Sequence, residues 1–495
     1  MVAAQASTQD LESMLDAHAE WLMIGENGRS FPLNRREIEI ERAERGPLFG
    51  AVGENGFRLR GLVAFELDGE QIGLSLSAPF GGEPEAVRLV PRVSAAALAA
   101  NVELARLERA NELASLVERS AAGVKIIRVA LNAGSGRFAE IIAESRENGR
   151  FAVYADIAGG GTAESILASS ILWFERLRAR AKKPARELHI IAEKRPAANL
   201  QKLHALLKAP VRSSIRIFEL NRLGGAEALR PRAEITTSRL WREKPRKLNL
   251  PDEVEAGETA RKIIGLAPEA IDVMHSRHGK TLRFNGLAFA RVRVMAGSEL
   301  AWFGVEPAKR PLNDQTRPEL DRLLDGMKTY RISDPASKRH EFYRHSPESW
   351  LESILRRNIK LLDANLILAP IYNQFRTAAA DKIDLLALRR DGRLVVIEIK
   401  AAPDRETPFQ AADYWRKIEH LRRRGELRRA RVFGDLEIID KPPLVYAVAP
   451  ALSFHRDFEY FARMLTPEIE LWRFELHENW RKQIKVIARR NYFEG

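Results

Sequence analysis

The sequence predicts an α/β (α+β) fold: mixed sheets flanked by helices, duplicated along the chain, with small β-rich regions. Three observations predict it. Residues 381–474 run strand, tight turn, strand, helix, strand, helix, strand. The same order runs through 138–220. Alternating apolar and polar runs, separated by glycine-containing turns, fill 31–92 and 271–310.

The stretch 381–415 carries the chemistry. Ile383-Asp384-Leu385-Leu386-Ala387-Leu388 is a short apolar run holding one acid. Asp391-Gly392 is a hairpin signal, because Gly supplies the positive φ of a tight turn. Leu394-Val395-Val396-Ile397-Glu398-Ile399-Lys400 is β-branched and apolar on both faces, the pattern of a central strand. Residues two apart on a strand share a face, so Glu398 and Lys400 point the same way. Unpaired buried charge is costly, so a core strand has no structural reason to hold an acid beside a lysine. Pairing across Asp391-Gly392 can bring Asp384 next to Glu398. Two close carboxylates repel unless a cation sits between them, and Mg2+ with oxygen ligands is the usual solution. Taken alone, Glu398 and Lys400 read rather as a surface ion pair on an edge strand.

Three further residues set the context. Glu352 lies upstream in an expected helix around 350–355, and Gln410 and Tyr414 open another downstream. With its helix acid, strand Asp, E-x-K and Q-x-x-x-Y in this order, the last third of the chain resembles the PD-(D/E)XK (restriction-endonuclease-like) nuclease superfamily, and within it the RecB-type branch. Ile383 stands where that family's Pro would. The resemblance implies a mixed sheet flanked by helices. It implies that Asp384, Glu398, the Ile399 carbonyl and Glu352 hold Mg2+ (or Mn2+). It also implies that Lys400 positions a water for attack, and that Gln410 and Tyr414 steer the nucleic-acid backbone.

Composition bounds the rest. At 495 residues the chain suits roughly two to four domains. A net charge of +13 favours a polyanionic partner, or reflects Arg used on any solvated surface. There is no Cys, which excludes a disulfide framework, a cysteine nucleophile and a cysteine-ligated iron–sulfur cluster, and fits a reducing cytoplasm. No apolar run reaches membrane-span length, and the first residues lack a signal-peptide pattern, so the expectation is a cytoplasmic protein without membrane contact. No Gly-x-x-x-x-Gly-Lys-Ser/Thr loop is present, so any motor is another chain.

Taken in order, the chain divides at 1–93, 94–225, 226–270, 271–340 and 341–495. Residues 8–24 read as an amphipathic helix, followed by the strands of a small β domain suited to DNA docking or dimerisation. Residues 94–120 are an Ala/Leu-rich helical segment. Setting Gly149 against Gly392, 243 positions on, aligns two strand–turn–strand units and the later elements through 220 and 474. A duplication gives this, and so do any two α/β domains, since βαβ units are abundant. At that offset Asp384 maps to Ile141, Glu398 to Ala155 and Lys400 to Ile157, so 94–225 is expected to be a degenerate nuclease-like copy.

Residues 226–270 read as a linker. Its basic run around Trp241 (Arg239, Arg242, Lys244, Arg246, Lys247) is either solvated or able to stack a base and hold phosphates. His275 and His278 have no carboxylate cluster beside them and read as ordinary polar residues. After Tyr414 comes a basic run in which Arg416, Lys417, Arg422 and Arg423 are the expected nucleic-acid contacts; a solvated face is the alternative.

The expected function is a metal-dependent nuclease hydrolysing DNA phosphodiester bonds, in DNA repair or defence, with RNA left open as a substrate. The alternative is a non-catalytic nucleic-acid-binding or scaffold protein built on nuclease-like domains. A homodimer, or a separate motor or partner protein, is compatible with both.

Overall fold

The computed structural model describes residues 7–25, 29–43, 46–53, 56–77, 84–92, 95–146, 149–223, 226–242, 257–276, 279–295, 298–305, 309–369, 375–376 and 383–492. The chain forms two units, Met1–His204 with Arg212–Glu234, and Ala205–Val211 with Ile235–Gly495. Each is a mixture of helices and sheets, as the sequence predicts.

In the first unit, helix α1 (Thr8–Asp16) starts at a capping box, in which the Ser7 hydroxyl accepts from Asp10 N and the Asp10 carboxylate accepts from Ser7 N. Leu11 and Leu15, one turn apart, bury against the sheet. The helix ends well before residue 24. Glu20–Gly25 is instead strand β1, which pairs on both sides, and the Trp21 indole donates to Leu15 O at 3.1 Å. Strands β2 (Ser30–Asn34), β3 (Ile38–Ala43), β4 (Gly46–Gly53), β5 (Gly56–Asp68), β6 (Gln71–Leu76) and β7 (Glu85–Pro91) complete an antiparallel seven-stranded sheet, ordered β2-β1-β7-β6-β5-β4-β3.

Helix α2 (Ala95–Ser120) leads into β8 (Lys125–Leu131), β9 (Phe138–Ser145), β10 (Gly149–Asp156), α3 (Ala163–Arg180), β11 (Glu187–Glu193), α4 (Lys194–His204), β12 (Ile215–Leu223) and β13 (Ala226–Pro231). These strands form a six-stranded sheet, β13-β12-β11-β10-β9-β8. Ala110, Leu113 and Val117 of α2 pack on one face, against Ile141, Val153 and Ala155. Tyr154, on the opposite face by strand alternation, meets Trp173 of α3.

In the second unit, α5 (Glu258–Ile264) precedes an antiparallel run of β14 (Ile271–Ser276), β15 (Gly279–Phe284), β16 (Leu287–Met295), β17 (Ser298–Phe303) and β18 (Arg310–Pro311). Helices α6 (Arg317–Tyr330) and α7 (Pro347–Arg357) follow, then β19 (Leu366–Leu368) and β20 (Phe375–Arg376), which joins β14. The chain ends in β21 (Leu385–Arg389), β22 (Leu394–Ile399), α8 (Thr407–Arg423), β23 (Leu444–Pro450), β24 (Glu470–Leu476) and β25 (Val486–Asn491). The second six-stranded sheet is ordered β19-β21-β22-β23-β24-β25. Its pairs run antiparallel, antiparallel, parallel, parallel, antiparallel, the same senses in the same order as β8 to β13.

The register of the two sheets does not follow the aligned glycines. Ser145 pairs with Gly149, whereas Arg389 N donates to Arg393 O, so Gly149 corresponds to Arg393. The offset is therefore 244, and a one-residue slip exchanges the two faces of every strand. Asp384, Glu398 and Lys400 correspond to Glu140, Tyr154 and Asp156, not to Ile141, Ala155 and Ile157.

Two further expectations change. Residues 226–231 are edge strand β13, not linker. Leu240 is buried and Trp241 packs edge-on to Trp415 and His420, so this aromatic serves the fold. Lys244, Arg246, Lys247 and His278 lie outside the described residues. Among the described residues, no helix is long and apolar enough to cross a membrane.

Candidate active site

Strand β22 runs through the middle of its sheet with every residue from Leu394 to Ile399 buried. Apolar Leu394 and Val396 face the side of Ile418 in α8, while Val395, Ile397 and Ile399 face the side of α7. Alternation puts Glu398 on the α8 side, 2% exposed. Asp384 is next in register beyond the Leu385–Ile397 pair, which sets it across from Glu398. The Ile399 N–H donates to Asp384 Oδ2 at 2.9 Å and fixes that carboxylate. Asp384 and Glu398 thus converge as the hairpin register predicts.

Lys400 Nζ lies 3.2 Å from Glu398 Oε1 and 3.1 Å from Asp404 Oδ2. Glu398 Oε2 is buried with no hydrogen-bond partner among the described residues. Burial, then the charge of Asp384, pushes the Glu398 carboxyl well above the usual carboxylate range; Lys400 opposes this and Glu348 adds to it. For Lys400, burial alone would favour the neutral amine, but Glu398, Asp404 and Glu348 outweigh it and hold the ammonium protonated.

The acid on α7 is not the expected one. Glu352 is 2% exposed and turned to Arg283 at 3.2 Å and Arg356 at 3.9 Å. Arg283 also meets Asp272 at 2.6 Å, and Arg356 meets the same carboxylate at 2.9 Å. Glu352 therefore belongs to a buried charge cluster joining α7 to β14 and β15. Glu348, one turn earlier and exposed, is the α7 acid whose charge reaches both Glu398 and Lys400. Sequence reasoning missed Glu348 and Asp404, although each stands four residues from a residue it did name.

On α8, Gln410 Oε1 is buried without a donor among the described residues, and Tyr414, one turn on, lies under Lys417 Nζ at 5.3 Å. The four expected nucleic-acid cations are engaged by acids of their own helix. Arg416 and Lys417 meet Asp413 at 2.7 and 2.8 Å. Arg422 and Arg423 meet Glu419 at 2.7 and 2.5 Å, with Arg422 also bound to Asp440 and Arg423 over the Trp241 ring. Each basic residue follows its acid by three or four positions, the spacing at which helix side chains touch. These pairs stabilise α8 and partly neutralise the cations that the sequence offers to phosphate.

The donor set fits a hard divalent cation in an open site. Among the described residues, no group of three or more His, Cys, Asp or Glu forms a ready cage. Asp384 and Glu398 supply two carboxylates and one orphaned oxygen, and Mg2+ needs few protein ligands because it keeps several waters. The Ile399 side chain is buried on the other face, so only its main chain can reach the site.

No family model matches the chain, and no curated protein matches it. A solved structure described as "Structure of EndoMS in apo form" aligns at 12% identity over 44% of this chain and 96% of that one, with a TM-score of 0.17. A likeness that distant carries no argument, and the site stands on its own geometry.

Proposed function

We propose that this chain is a metal-dependent nuclease hydrolysing DNA phosphodiester bonds at the Asp384–Glu398–Lys400 centre. One observation carries the reading: a central strand buries Glu398 beside a second acid and leaves Glu398 Oε2 without a partner among the described residues. A purely structural carboxylate at that depth would be paired on both oxygens or replaced by an apolar residue. A bound Mg2+ or Mn2+ would supply Lewis-acid stabilisation of the charge developing on phosphate.

The chain's own residues do the rest. Asp384, fixed by the Ile399 N–H, and Glu398 present oxygens to the cation. Lys400, held protonated by its acids, acts as a donor that orients water or a phosphate oxygen rather than as a base. Glu348 adds negative charge from the α7 side, the role first expected of Glu352. Gln410 and Tyr414 sit one turn apart on α8, where they can meet the nucleic-acid backbone. The net charge of +13 supports a polyanionic partner. The shared strand order of the two six-stranded sheets supports an internal duplication in which the first copy is non-catalytic.

The test is cleavage of plasmid and single-stranded DNA with Mg2+ or Mn2+, beside Glu398→Ala and Lys400→Ala proteins. Cutting that both variants lose supports the centre. A wild type that binds DNA but never cuts it transfers the reading to a nucleic-acid-binding scaffold.

A further inference from the structure

The second mixed sheet has another polar concavity, at its hairpin end. An open pocket of about 460 Å3 lies where β21 turns into β22. Arg389, which lines it, is five residues from Asp384, about 17 Å along a strand at about 3.3 Å per residue. Tyr446 and Phe474 of the pocket belong to the core under α7, whereas Glu398 faces α8. The pocket is thus separate from the reaction centre in both position and face.

One wall is aromatic. Tyr446 and Phe474 lie 4.3 Å apart between ring centroids, and Trp472 is paired with Tyr446 on the neighbouring strand. Tyr446 and Phe474 are 4% and 2% exposed, so the half-buried Trp472 is the ring that the pocket can reach. Arginines stand at the rim. Arg389 takes the nearby Asp391, donating from Nε at 3.0 Å. Arg390 beside it is exposed and enters no ion pair among the described residues. Arg489, also exposed, lies over the Phe474 ring at 5.1 Å, donates to Leu362 O at 3.2 Å and enters no ion pair among the described residues. Asp363 is buried and already accepts from Asn365 N at 3.0 Å.

We propose that this pocket binds a nucleotide. The base lies against the half-buried Trp472 ring, and the phosphate meets Arg390 and Arg489. Each part of the ligand answers one feature. A bare phosphate would leave the Trp472 ring uncovered, and an apolar ligand would leave the two arginines without an anion. Aromatic stacking tolerates any base, and guanidinium contacts to phosphate are salt-dependent. The same chemistry is offered by a free mononucleotide and by an unpaired nucleotide within a single strand.

Isothermal titration of the full chain in EDTA separates these outcomes. The titrants are dAMP, inorganic phosphate and a short single-stranded oligonucleotide, each against wild type and the R390E/R489E double variant. Because no divalent cation is present, the result is independent of whether the chain cuts DNA. The expected result is binding of dAMP or the oligonucleotide that weakens at least tenfold in the double variant, whose circular dichroism and melting temperature match wild type. Binding of dAMP assigns the pocket to free nucleotides, and binding of the oligonucleotide alone assigns it to a strand. Phosphate binding as tightly as dAMP, affinity unchanged in the double variant, or no binding by any titrant overturns the proposal.

Discussion

Two six-stranded sheets of the same strand order hold different groups at the same three positions. In the second, Asp384, Glu398 and Lys400 crowd together and one carboxylate oxygen stays unpartnered. In the first, Tyr154 stands in place of Glu398, with its ring 5.0 Å from Phe138 and 5.7 Å from Trp173. Asp156 stands in place of Lys400 and accepts from Gly159 N at 3.0 Å and Gly161 N at 2.9 Å. Glu140 stands in place of Asp384; burial raises its carboxyl, while Arg128, Arg176 and a hydrogen bond with Trp173 pull it back. The first site is filled by its own side chains and the second is not. What separates the two sets of positions is polar satisfaction, not backbone architecture.

The sharpest way to break this contrast is to close the open site. Glu398→Ala or Lys400→Ala is expected to lower metal-dependent cutting by at least about a hundredfold. Glu398→Gln is expected to lose cutting equally yet raise the melting temperature of the metal-free protein, because it removes a buried charge set beside Asp384. If Glu398→Gln lowers that temperature instead, Glu398 is a structural partner of Lys400 and the two sheets differ less than claimed.

The two acids of α7 sharpen the comparison next. Arg283→Met leaves Glu352 and Asp272 buried without their main cation and is expected to cost about 3–5 kcal/mol in denaturant unfolding. Glu348→Gln, at an exposed position, is expected to leave stability unchanged and lower cutting. The reverse pattern would return Glu352 to the site. In the first sheet, Asp156→Ala uncovers the Gly159 and Gly161 N–H groups and is expected to cost about 1–2 kcal/mol, with cutting unaffected.

Much of this was legible in the sequence, and the misses have physical causes. The alternation around Glu398 and the Asp391-Gly392 turn suffice to place Asp384 across from it. Glycine could not set the register between the two copies, because it serves both inside a turn, as at Gly392, and at a strand start, as at Gly149. Glu348 and Glu352 share one face of α7, so motif order could not choose between them; the choice is made by Arg283, far away in sequence. The helix expected to run to residue 24 stops because Glu20–Gly25 finds strand partners on both sides, which no local period reveals. The engagement of Arg416, Lys417, Arg422 and Arg423 was legible and overlooked, since Asp413 and Glu419 stand at touching distance along the helix.

The smallest expected effect lies away from both sites and tests whether a buried titratable group makes the second unit sensitive to acid. His275 on β14 is buried, and burial, with Lys280 and Arg356 adding to it, pushes its pKa down to about 4. An unfolded chain would titrate it near 6.5, the ordinary value. Between these values the unfolded state binds the proton and the folded state does not, so stability falls as pH drops through that window and is regained above it. His275→Gln is expected to flatten this slope in urea titrations from pH 7 to 4, leaving stability at pH 7 little changed. A slope that survives the substitution would show that His275 is not its source.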